Sequence, residues 1–175
     1  MTYSNKSERQ ELFQDLMMYK EIVFQICLGY TKNPWDAEDL TQDVYLKAYR
    51  KMDSLLDSRL KKEWLFRIAK NSCVDHGRKS RLRRVFPLFQ EVAPLDQGTP
   101  EKHMMRDESR EALKNAVSQL PAKLKDTFIL REYGQLSYHE IAAVLGTKKG
   151  TVMSRLNRAR QAVLHRMKEE INDQT

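Results

Sequence analysis

Two cysteines in 175 residues, Cys27 and Cys73, exclude a disulfide framework, and neither stands in the CxxC or Cys/His spacing of a zinc site. Both fall among apolar residues at helical spacing and read as small core side chains. The four histidines, His76, His103, His139 and His165, are scattered without metal or triad spacing, and there is no glycine-rich phosphate loop. An enzyme, a bound metal and a cofactor are therefore not expected. No apolar run approaches the roughly 20 residues needed to span a bilayer. The polar start MTYSNKSERQ does not have the makeup of a signal peptide, so a cytoplasmic chain with no membrane insertion is expected. Alternating strand patterns and Asn-Gly hairpin turns are also missing. Nearly every segment has helical periodicity instead, and the fold class is all-α.

What the chain has in excess is positive charge: 31 Lys and Arg against 24 Asp and Glu, a net of +7. That balance favours a polyanionic partner, and its location makes the inference specific. Ser137 to Arg160, SYHEIAAVLGTKKGTVMSRLNRAR, reads as two helices around a glycine turn. Ser137 with Glu140 three positions on makes a capping box, Ile141, Ala142, Val144 and Leu145 supply the apolar contacts of a first helix that stops at Gly146, and Thr147 can cap the second. Projected at about 100° per residue, Val152, Leu156, Ala159 and Val163 face a core. Ser154, Asn157, Arg158 and Gln161 lie opposite, with Met153 and Arg155 at the margins. These are groups able to read base edges or hold phosphates. Between residues 145 and 168 stand seven cations (Lys148, Lys149, Arg155, Arg158, Arg160, Arg166, Lys168) and no acid, whereas an ordinary solvated face mixes signs.

Helical periodicity falls into two blocks, about 8–84 and about 109–170. The intervening VFPLFQEVAPLDQGTPEKHMMRDE, residues 85–108, has three prolines and a glycine and no sustained period, and reads as a flexible linker with fraying helix at its far end. In the first block, Leu12, Leu16, Tyr19, Val23 and Ile26 or Cys27 recur at helical spacing before a break at Asn33-Pro34. In WDAEDLTQDVYLKAYRKM, residues 35–52, Asp36 can cap a helix whose buried stripe is Ala37, Leu40, Val44 and Ala48. Its other face carries Asp39, Gln42, Asp43, Leu46 and Arg50, and a leucine among carboxylates on an exposed face hints at a protein contact. Residues 61–84 carry nine cations (Lys61, Lys62, Arg67, Lys70, Arg78, Lys79, Arg81, Arg83, Arg84) against Glu63 and Asp75. On a projection, Leu65, Ile68, Ala69, Ser72 and His76 point one way, and Arg67, Lys70, Asn71, Val74 and Arg78 the other. Trp64 sits near the edge, either stacking on an unpaired base beside the cations or anchoring the core.

Taken in order, DAEDLTQDVYLKAY, WLFRIAKNSCVDHGRKSR and LPAKLKDTFILREYGQLSYHEIAAVLGTKKGTVMSRLNRAR resemble the successive segments of bacterial extracytoplasmic-function sigma factors of the sigma-70 family. The resemblance covers nearly the whole chain outside the linker and the two ends. It implies that residues 8–84 form a sigma-2 domain, which docks on core RNA polymerase and melts the minus 10 element, and that 109–170 form a sigma-4 domain, whose recognition helix reads the minus 35 element. Asp39, Gln42, Asp43 and Leu46 then match the surface that grips the clamp helices of the polymerase's largest subunit, the flap being a second contact. Residues 52–62, MDSLLDSRLKK, occupy the place of the loop that captures a flipped base, with its base preference open. Trp64, Arg67, Lys70, Asn71, Asp75 and Arg78 match the helix behind it. Ser154, Asn157 and Arg158 fall at base-reading positions, while Lys148, Lys149, Thr151 and Arg155 are better placed for phosphates. Met153 stands where many relatives have Lys or Arg and could touch a thymine methyl. Lys148-Lys149 replaces the more usual Pro-Val, which adds charge where the helix dipole already favours phosphate.

The resemblance also implies an anti-sigma factor as a partner covering these same surfaces, one that could hold the chain at a membrane, and a monomer when free. The rival reading of the residues is a stand-alone helix-turn-helix regulator that binds a palindrome as a dimer. It leaves the Asp39/Gln42/Asp43/Leu46 face and the second basic stripe without a role.

Overall fold

Apolar residues at three- and four-residue spacing build eight α-helices, and no strand, among the residues that the computed structural model describes, 6–55, 57–85 and 104–172. They are α1 (Lys6–Met17), α2 (Lys20–Thr31), α3 (Pro34–Lys51), α4 (Lys61–Val85), α5 (Met104–Ser118), α6 (Ala122–Glu132), α7 (Tyr138–Leu145) and α8 (Lys149–Asn172). Two short 3-10 turns, Met52–Ser54 and Ser58–Leu60, connect α3 to α4. Most of the expected linker falls on 86–103, outside the described residues.

The break at Asn33-Pro34 is made by local chemistry. Lys32 takes a left-handed conformation (φ 62°) and its N–H closes α2 on the Leu28 carbonyl at 2.8 Å. The Asn33 side chain then accepts the Trp35 N–H at 2.9 Å, and Pro34 holds the first helical position. The cap of α3 is therefore Asn33 and not Asp36. Asn33 has the extended backbone a cap needs, and proline at the next position gives up only an N–H that would have no helical partner. Asp36 lies in the first turn.

Ala37, Leu40, Val44 and Ala48 are buried as expected, joined by Thr41 and Tyr45. Both added hydroxyls are satisfied: Thr41 donates to the Ala37 carbonyl at 2.7 Å, and Tyr45 donates to the Leu16 carbonyl at 2.9 Å, tying α3 to the end of α1. From α4, Leu65, Phe66, Ala69, Ser72 and Cys73 close this core. The two cysteines are free, buried small side chains, with the Cys73 thiol 3.6 Å from the Cys27 sulfur. Met52 and Leu55, within the stretch expected to be a loop, are buried and pin its first half to the core.

In the second block α5, α6 and α7 all pack on α8. Ala116, Val117, Leu120, Ile129, Leu130 and Leu136 fill the space between them. The two blocks are not separate bodies. α7 lies on α4, α6 lies on α2, and the buried residues of both blocks form one continuous apolar cluster.

Phe66 is fully buried in this cluster, edge-on to Tyr19 at 5.8 Å. Truncation to alanine is expected to cost about 3–5 kcal/mol, read as a lower urea midpoint at unchanged slope.

Candidate nucleic-acid interface

Local interactions shape the turn between α7 and α8. Ser137 Oγ accepts the Glu140 N–H at 3.2 Å, and Glu140 Oε2 accepts the Ser137 N–H at 2.7 Å, completing the capping box. Gly146 ends α7 in the left-handed region (φ 60°), where a side chain is strained, and its N–H and that of Thr147 both return to the Ala142 carbonyl. α8 starts at Lys149, so the residue before it is Lys148 and not the expected Thr147. The Lys148 carbonyl takes the first helical bond, from the Val152 N–H at 3.1 Å.

Val152, Leu156, Ala159 and Val163 are buried, which turns the opposite face of α8 to solvent. Lys148, Lys149, Ser154, Asn157, Arg158 and Gln161 are exposed there, Met153 is 51% exposed, and Thr151 and Arg155 are half-buried at the edge. Among the described residues, Lys148, Lys149, Arg155 and Arg158 pair with no carboxylate. Two lysines at the positive end of a helix oppose its dipole by about 0.3–1 kcal/mol each, a cost that an anion placed there would offset. Arg160 belongs to a different role: it donates to Glu132 Oε1 at 3.0 and 2.7 Å, and that hydrogen bond raises its pKa further. Ser154 Oγ folds back to the Thr151 carbonyl at 3.0 Å and is free to turn toward a base.

A second outward face lies on α3. Asp39, Gln42, Asp43 and Arg50 are exposed, and Leu46 is 54% exposed. Two aromatic residues that the sequence reading left out share it, Trp35 at 77% and Tyr49 at 50% exposure. The spacing 35, 39, 42, 46, 49 is one helical stripe and would have revealed them. Tyr49 is held by the Arg9 guanidinium, which sits 5.5 Å from its ring centre, donates from Nη2 to the Tyr49 carbonyl at 3.2 Å, and donates from Nη1 to both Asp53 carboxylate oxygens at 2.7 and 2.8 Å.

The basic stripe of α4 divides. Asn71, Asp75 and Arg78 face solvent, the last two 3.9 Å apart. Trp64 is half-buried against the apolar cluster, so the core-anchor alternative describes it better than an open stacking surface. Arg67 and Lys70 turn toward the second block. Arg67 Nη2 donates to the Ala143 carbonyl at 2.7 Å, Lys70 lies 3.4 Å from Asp126, and Lys62 pairs with Glu140. Asp126 Oδ1 also accepts the Tyr30 hydroxyl at 2.7 Å, and burial together with that carboxylate raises the Tyr30 pKa well above its usual value. Burial pushes the Glu140 carboxyl up, but the hydrogen bonds from Lys62 and Ser137 outweigh it and leave a net lowering.

Residues 15–83 match the family model for sigma-70 region 2, and residues 110–163 match that for sigma-70 region 4. The chain is 31% identical to the RNA polymerase sigma-H factor of Pseudomonas aeruginosa, over 85% of this chain and 81% of that one. It is 29% identical to the extracytoplasmic-function sigma factor SigW of Bacillus subtilis, over 94% and 93%. With the sigma-E factor of Escherichia coli K12 it shares 36% identity over 73% and 72%. Among solved structures, the sigma factor RpoE in complex with the anti-sigma factor NepR from Bartonella quintana superposes with a TM-score of 0.61 at 28% identity, covering 89% of this chain and 95% of that one. CnrH in complex with the cytosolic domain of CnrY shares the fold, with a TM-score of 0.61 at 20% identity over 93% and 88%.

Because the Glu140 carboxylate is held below its ordinary value of 4.5, its contribution to stability is complete above that pH. It is lost as the pH falls through the lowered value. Melting Glu140→Gln beside the parent from pH 6 down to pH 3 is expected to show a stability gap that is constant in the upper range and closes in the lower.

Proposed function

The chain belongs to the sigma-70 family, in its extracytoplasmic-function branch, and from that we propose that it joins core RNA polymerase and directs it to specific promoters for transcription initiation. Sigma factors are not enzymes. The polymerase supplies the chemistry, and sigma supplies recognition and strand separation. Residues 8–84 act as the sigma-2 domain and 109–170 as the sigma-4 domain, with 85–108 linking them. The observation that carries the reading is the α3 stripe: two aromatic rings and a leucine stand in solvent beside Asp39 and Asp43. Such a surface gains nothing in water and suits a protein partner with cationic and apolar groups. A stand-alone dimeric regulator could use it only for self-association, which would bring Asp39 and Asp43 of two copies together against their like charge.

In this reading Asp39, Gln42, Asp43 and Leu46, with Trp35 and Tyr49, meet the polymerase clamp. On α8, Ser154, Asn157 and Arg158 reach base edges, and Lys148, Lys149, Thr151 and Arg155 hold phosphates. Arg67, Lys70, Asn71, Asp75 and Arg78 act at the minus 10 element, with Trp64 backing them from the core. The Bartonella quintana sigma factor solved with the anti-sigma factor NepR supports an anti-sigma factor as a third partner. No helix among the described residues is long and apolar enough to cross a membrane.

Trp35→Ala is expected to weaken core polymerase binding about tenfold, read by titration, while stability stays within about 0.5 kcal/mol because the ring touches little of its own chain. Asp39→Arg combined with Asp43→Arg is expected to abolish binding. For DNA, replacing Lys148 and Lys149 by alanine is expected to flatten the slope of log affinity against log salt by about 1.8, the release of two phosphate contacts. An unchanged slope would remove both lysines from the phosphate set.

A further inference from the structure

Where α2 packs on α4, the core holds two thiols that promoter recognition and polymerase binding leave without a role. Cys27 is fully buried, Cys73 is 3% exposed, and the Cys73 S–H donates to the Cys27 sulfur at 3.6 Å. They stand 46 positions apart, so the fold and not the local sequence brings them together. Small gaps elsewhere in this core are filled by Ala37, Ala48 and Ala69. A cysteine at each of two facing positions is a different choice, and its surroundings are polar. Thr41 lies beside Cys27, and the Lys47 ammonium donates to Ser72 Oγ at 3.0 Å, next to Cys73 in the chain. The hydrogen bond from Cys73 holds the Cys27 thiol below its ordinary value of 9.0 against the burial that pushes it up. The same hydrogen bond, together with burial, pushes the Cys73 thiol up. Cys27 is therefore the better nucleophile of the two.

We propose that Cys27 and Cys73 form a modification site, an oxidisable dithiol that hydrogen peroxide closes into a disulfide between α2 and α4. The Cys27 sulfur attacks one peroxide oxygen, the O–O bond breaks, and the departing hydroxide leaves as water with the Cys27 proton. The Cys73 sulfur then attacks the sulfur of the Cys27 sulfenic acid. The S–S bond forms, the S–O bond breaks, and the second water carries away the Cys73 proton. Two electrons pass from the thiols to the peroxide, and the products are one disulfide and two waters. Closing the 3.6 Å contact to the roughly 2.05 Å of a disulfide takes about 1.5 Å of movement, divided between two unbranched side chains. Cys73 keeps a small exposed edge near the half-buried Lys47, which is the way in for a molecule as small as peroxide. The bond would tie together the helices on either side of α3 and brace the stretch of α4 where Asn71 and Asp75 face solvent. Its closed loop constrains the unfolded chain, so oxidation stabilises the first block.

The test uses the full chain, reduced, freed of reductant and treated with hydrogen peroxide while circular dichroism confirms that the helices persist. Denaturation in N-ethylmaleimide then counts the remaining thiols by mass spectrometry. The parent is expected to go from two alkylated cysteines to none, to weigh two hydrogens less, and to yield the Cys27 and Cys73 peptides joined in a digest. Its melting temperature is expected to rise by roughly 10 °C and to return with dithiothreitol. Cys27→Ala and Cys73→Ala should each lose that response. Both thiols of the parent remaining alkylatable, either one gaining oxygen without the bond, or the bond forming between two chains or only after the helical signal is lost, would overturn the proposal. These outcomes are all read on the parent, so a variant that fails to fold leaves the decision intact.

Discussion

A chain that must hold a polyanion has to keep its own carboxylates away from the cations it commits to that task, and this constraint orders the structure. The acids are spent where cations serve the fold: Asp53 on Arg9, Asp15 on Lys61, Glu132 on Arg160. What remains on the outer face of α8 is unpaired among the described residues. Surface pairs of this kind add little stability, so their distribution matters more than their number. The apolar cluster supplies the stability and leaves charge free to define function.

The same constraint makes α4 the informative exception. Its Arg67 and Lys70 are engaged within the chain, by groups that mimic what a DNA backbone offers: a carbonyl oxygen and a carboxylate. Asp126 is the pivot, since one carboxylate satisfies both a phenol and an ammonium across the boundary between the two blocks. A partly buried pair like this contributes more to the geometry of docking than to its strength.

Features with local causes were legible in the residues. The capping box at Ser137 and Glu140, the left-handed glycine at 146 and the two faces of α8 all follow from contacts within a few positions. The acidic stripe of α3 was legible by period alone, yet Trp35 escaped because the cap was assigned to Asp36. Moving the start to Asn33 brings Trp35 into the helix and onto that face. Trp64 could not be assigned from a projection, because whether an edge position is covered depends on which helices pack around it. Long-range apposition was least legible. Tyr30 and Asp126 stand 96 positions apart in the chain, and nothing near either one announces a partner. Periodicity separates two helical blocks and the resemblance to sigma factors gives each a role, but neither indicates that the two blocks meet.

Whether this chain programs a polymerase to choose promoters is tested by transcribing fragmented genomic DNA with core polymerase plus the chain and sequencing the 5′ ends. Start sites that depend on the chain and share two common blocks at a fixed spacing upstream are expected. A start-site pattern identical with and without the chain, with the protein instead enriched on single palindromic sites, would contradict it.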